Sequence, residues 1–157
     1  MNYYFGGIEG LFAAVLQEAT SRLVNSDALR SAVAGQTTPK AKLEAFLGLF
    51  VQEITSPVSS SWVVRVIGRE MLAQSPSLVA LKGKERHKRV RISKAIVGEL
   101  MGLPEDHTAV ARGCVNVIGP CFLLLICDRS AFKEMFPNFG FIPKDGTALL
   151  QHLVEFA

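Results

Sequence analysis

Apolar residues recur at spacings of three and four along most of the chain, and no stretch alternates apolar and polar positions between hairpin turns. The pattern predicts an all-α fold. Gly6-Gly7 marks a stop, after which Leu11, Phe12, Val15, Leu16, Ala19 and Leu23 form the apolar face of a first helix expected from about Gly7 to Val33. A break at Ala34–Pro39 follows, with Thr38 as N-cap and Pro39 at the first helical position of a second helix. That helix carries Leu43, Phe46, Leu47, Phe50, Val51 and Ile54 and ends at Ser56-Pro57. Trp62, Val63, Val66, Ile67, Met71 and Leu72 define a third, stopped by Ser75-Pro76.

A fourth helix is predicted from Pro76 to Met101, ended by Gly102-Leu103-Pro104. The fifth, Glu105 to about Cys127, begins acidic, as the helix dipole favours, and becomes almost wholly apolar, so it must be covered on more than one side. Pro120 should bend it. Between Asp128 and Asp145, four phenylalanines among Pro137, Gly140 and Pro143 read as a short helix and an irregular connection. A last helix from Gly146 places Leu149, Leu153 and Phe156 on one face.

Composition narrows the picture. At 157 residues, 49% hydrophobic and 20% charged, the chain can bury a core, which excludes a disordered polypeptide and makes one domain the default. A net charge of +3 is too small for a protein held on nucleic acid by electrostatics alone. Cys114, Cys121 and Cys127 share one apolar run, which suggests free thiols in a reducing, cytoplasmic setting. No secretory leader is expected, and the run from Cys114 to Cys127, interrupted by Asn116 and Pro120, is shorter than the roughly 20 residues of a membrane span.

Candidate chemistry is sparse. The cysteines lack metal-ligand spacing, His87, His107 and His152 are scattered, and there is no phosphate loop, carboxylate pair or nucleophile elbow. The sequence therefore predicts neither an enzyme nor a cofactor. Trp62, Arg65 and Arg69 share one helix flank, where an indole wall and two guanidiniums suit a small aromatic or drug-like effector. The competing reading buries the indole in the core and pairs the arginines with Glu70 or Glu53. Phe46, Phe50 and Asn116 complete the candidate pocket, Asn116 being an amide in an apolar run that needs a ligand, a backbone carbonyl or its dimer counterpart as partner. The basic run from Lys82 to Lys94 reads as a solvated helix face, with Glu85 pairing to Arg89, or less economically as a nucleic-acid contact.

Tyr3-Tyr4-Phe5 running into Gly6-Gly7 resembles the end of the helix-turn-helix in TetR-type transcriptional regulators. Arg69-Glu70-Met71 followed by Ser75-Pro76-Ser77, and Gly98-Glu99-Leu100-Met101-Gly102-Leu103-Pro104, are similar to segments of the CecR-like subgroup. The resemblance implies that residues 1–6, with Tyr3 and Tyr4, are a remnant of a DNA-reading helix, and that residues 7–157 form an effector-binding and dimerisation domain. About 40 residues of a three-helix DNA-binding module are then missing, and operator DNA is a partner only where they are present. Ile8 stands where the family turn carries a phosphate-contacting Lys.

It also implies a homodimer through the last two long helices, with Phe122, Leu123, Ile126, Leu149, Leu153 and Phe156 at the interface, and a repressor whose effector shifts the separation of two DNA-reading heads. The near all-round hydrophobicity of the fifth helix supports the dimer independently. A stand-alone helical ligand-binding or interaction module without DNA binding is the alternative, favoured by Ile8 and the absent headpiece.

Overall fold

Four of the described helices start at a polar side chain that satisfies an otherwise unpaired backbone N–H group. Thr38 accepts from the Ala41 N–H at 3.2 Å, Asn25 from Asp27 at 2.8 Å, His107 through Nδ1 from Ala109 at 3.1 Å, and Asp128 from Ser130 and Ala131 at 2.8 and 3.1 Å. The computed structural model describes residues 7–22, 25–57, 62–73 and 83–157. Among them lie eight α-helices and no strand: α1 (Ile8–Arg22), α2 (Ser26–Ala34), α3 (Pro39–Ile54), α4 (Trp62–Ala73), α5 (Gly83–Met101), α6 (Thr108–Ile126), α7 (Arg129–Met135) and α8 (Gly146–Phe156), the last preceded by a 3-10 turn, Pro143–Asp145.

The all-α expectation holds, with two corrections to element boundaries. The single helix expected from Gly7 to Val33 is two helices, because Asn25 adopts φ −58°, ψ 132° and caps the next helix with its own side chain. α6 begins at Thr108 rather than Glu105, because His107 takes the extended cap conformation and leaves Glu105 and Asp106 in the preceding turn. The expected start of the fourth helix at Pro76 falls outside the described residues. Its end is as predicted: Gly102 at φ +63° allows the Leu103 N–H to reach back to the Gly98 carbonyl at 3.0 Å, the left-handed closure that glycine makes easily.

α3 is the centre of the packing, with α2, α5, α6 and α8 against it. Leu43, Phe46, Leu47, Phe50, Val51 and Ile54 are all buried, and their i, i+3, i+4, i+7, i+8, i+11 spacing places them on one broad apolar face, opposite the exposed Gln52. α6 packs against α3, α4 and α5, and α1 packs against α4. Two glycines permit close helix approach. A Cβ on Gly113 of α6 would lie 2.7 Å from Val97 Cγ1 of α5, and one on Gly68 of α4 would lie 2.8 Å from Ile126 Cγ2 of α6.

By length and hydropathy α6 is long and apolar enough to cross a membrane, a longer element than the Cys114–Cys127 run alone. Its inner face, Val110, Cys114, Val117, Cys121, Leu124 and Leu125, is buried against neighbouring helices, about a third of the helix, while its outer face is exposed. The helix continues through Pro120.

Candidate functional site

The residues singled out as a pocket are distributed over different surroundings. Phe46 is 2% exposed and packs its ring 5.4 Å from that of Phe50, which in turn meets Phe122 edge-on at 6.3 Å. This aromatic column joins α3 to α6, with Phe46 and Phe50 in the core and Phe122 half-buried at its edge. Trp62, half-buried in the first turn of α4, lies under the Arg22 guanidinium of α1, 5.9 Å from its ring centroid. Arg69 is exposed, and the Arg65 side chain lies outside the described part. Asn116 is exposed on the outer face of α6, away from Phe46 and Phe50, so its amide is solvated and needs no buried partner. Tyr3 and Tyr4 also fall outside the described residues.

The interface candidates divide in two. Leu149 and Leu153, 8% and 9% exposed, belong to the core of a single chain, where α8 packs on α3. Phe122 and Ile126 are half-buried, against Phe50 and beside Gly68. Leu123 and Phe156 are the outward ones, at 57% and 81%. Leu123 continues a stripe along α6 made of Arg112, Val115, Asn116 and Gly119, with Val115 69% exposed. The stripe follows the i, i+3, i+7, i+11 spacing of one helix face, and its small Gly119 lets another backbone approach.

A cavity of about 320 Å³ opens elsewhere, between α2 and α5. Ser26 and Arg30 line it from α2, Lys88, Arg91, Ile92 and Ala95 from α5, and Glu105 from the turn after α5. The sequence pattern places the basic run on a solvated face. His87, Lys88 and Arg91 are indeed exposed, but the structure turns Lys88 and Arg91 towards a concave space. A signal was present in the i, i+4 pair Ser26 and Arg30 and the i, i+3 pairs Lys88–Arg91 and Ile92–Ala95. What sequence could not supply was the break at Asn25 that sets α2 beside α5.

The thiols are poorly suited to chemistry. Burial pushes the Cys121 thiol up to about 12 and raises Cys114 and Cys127, with Ser93 and Arg129 respectively opposing the effect. Among the described residues no group of three His, Cys, Asp or Glu side chains could hold a metal.

Residues 39–156, from the start of α3 to the end of α8, match the family described as the C-terminal domain of the HTH-type transcriptional dual regulator CecR. The chain belongs to this family. A CecR C-terminal domain is part of a transcriptional regulator rather than of an enzyme, and the match spans six of the eight described helices, α1 and α2 lying ahead of it. Domains of this TetR-type class generally dimerise and bind effectors. No match was found among curated proteins.

Proposed function

We propose that this chain is the effector-sensing and dimerisation part of a ligand-responsive, cytoplasmic transcriptional repressor. The observation that carries the reading is the family match running unbroken from α3 through α8. The outward stripe of α6 supports a two-fold dimer. Val115 and Leu123 are large apolar side chains left exposed along a helix whose opposite face is buried, and a second copy would bury them against their counterparts. Phe156 at the end of α8 extends the same role.

The effector position is assigned beside Trp62. Its half-buried ring offers an apolar surface, and the Arg22 contact links α4 to α1, the helix that in the family resemblance follows the DNA-reading module. An aromatic or drug-like effector stacking there displaces or tightens the Trp62–Arg22 contact and shifts the α1–α4 equilibrium, which is how binding reaches DNA. Titration of the protein with a panel of aromatic drug-like compounds tests this. The reading requires saturable quenching of Trp62 emission with a matching rise in melting temperature, weakened in Arg22→Gln. A panel that shifts neither signal contradicts it.

A further inference from the structure

We propose that the cleft between α2 and α5 is a binding site for a small amphipathic carboxylate, separate from the effector position beside Trp62. The cleft holds about 320 Å³, within the range of small-ligand sites. Its chemistry is two-sided. Arg30 faces it from α2, and Lys88 and Arg91, one helical turn apart, face it from α5, whereas Ile92 and Ala95 form an apolar wall beside them. Glu105 supplies the only carboxylate among the described lining residues, so positive charge prevails around a concave, solvent-open space that attracts anions. Ser26, 1% exposed, borders the cleft from α2 one turn before Arg30, as part of the packed wall.

Arg30 already pairs with Asp27 one turn away, but a guanidinium has five N–H donors and can serve a second carboxylate. The apolar wall requires a tail of several carbons. Inorganic phosphate has no tail to cover that wall, so a carboxylate carrying a short alkyl chain fits better. Such a ligand bridges Arg30 of α2 and Arg91 of α5 and thereby ties the two helices together.

Hexanoate is the probe, with hexanamide and inorganic phosphate as controls, read by backbone amide NMR of the full chain and by Trp62 emission. The expected result is saturable shifts at Ser26, Ile92 and Ala95 with unchanged Trp62 emission, weakened by added salt. Arg30→Gln and Arg91→Gln should each weaken binding about tenfold, the scale of one charge-assisted hydrogen bond. Glu105→Gln should tighten it, and Lys133→Gln on α7 should leave it unchanged. Absence of shifts at these residues, equal binding of hexanamide or phosphate, or undiminished affinity in both arginine variants would overturn the assignment. Hexanoate that quenches Trp62 while leaving Ser26, Ile92 and Ala95 unmoved would also overturn it, and would leave the effector reading beside Trp62 standing.

Discussion

Arg129 lies 75 residues beyond Ile54 in the chain and donates from Nη2 to its carbonyl oxygen at 2.8 Å. A second bond from Nη1 reaches the Ser56 carbonyl at 3.0 Å, and the same guanidinium sits 5.3 Å from the Phe141 ring centroid. One side chain at the start of α7 therefore satisfies carbonyls at the end of α3 and anchors the phenylalanine cluster of the α7–α8 connection. Arg129→Ala should cost about 1.5–3 kcal/mol, the range for a hydrogen bond involving a charged group, measured by urea denaturation. Arg129→Lys should recover less than half, because an ammonium cannot reproduce the fork.

Leu153→Glu should unfold the protein rather than only dissociate it. The side chain is 9% exposed in the single chain and lies in the core, so a carboxylate there is buried without a partner. Circular dichroism should show loss of cooperative melting. A variant that melts like the parent would show that α8 does not pack as described.

Gly113→Ala and Gly68→Ala should each destabilise by about 1–3 kcal/mol, the cost of overpacking. The added methyl would meet the stiff, buried Val97 in the first case and Ile126 in the second, at 2.7 and 2.8 Å. Gly119→Ala, whose Cβ meets nothing within the chain, should leave monomer stability unchanged or higher and instead weaken dimerisation. Denaturation midpoints for the first two and sedimentation for the third separate these effects.

Cys121 predicts an alkaline loss of stability. Its folded thiol titrates near 12 against an ordinary 9.0, so between those values the unfolded chain releases a proton that the folded chain retains. Stability is then complete below pH 9 and falls as pH rises towards 12, by about 3 kcal/mol at pH 11. Cys121→Ala lacks this term. The stability gap between parent and variant, measured by urea denaturation, should narrow from pH 8 to pH 11, and a constant gap would contradict the assignment.

Much of the architecture was legible because helix boundaries here are written in side chains. Thr38-Pro39, Gly102-Leu103-Pro104 and Asp128 each predicted a boundary that the structure shows. The break before Ser26 was missed because the apolar spacing of Leu16, Ala19 and Leu23 runs on into Leu29, and periodicity outweighed the capping sequence Asn25-Ser26-Asp27. The site was less legible for a physical reason. Spacing along a helix tells which residues share a face but not which neighbour the face meets. Thus Asn116 and Phe50, both read as pocket residues, lie on outward and inward surfaces, and Leu149 and Leu153 are core while Leu123 is exposed.

Sedimentation equilibrium of the parent chain and of Leu123→Glu tests the central claim, a regulator's domain that dimerises through the outer face of α6. The account predicts a dimer for the parent at micromolar concentration, and for Leu123→Glu a folded monomer with unchanged helical content, because that side chain is 57% exposed in the single chain. A parent that remains monomeric at those concentrations, or a Leu123→Glu variant that dimerises as tightly as the parent, would contradict it.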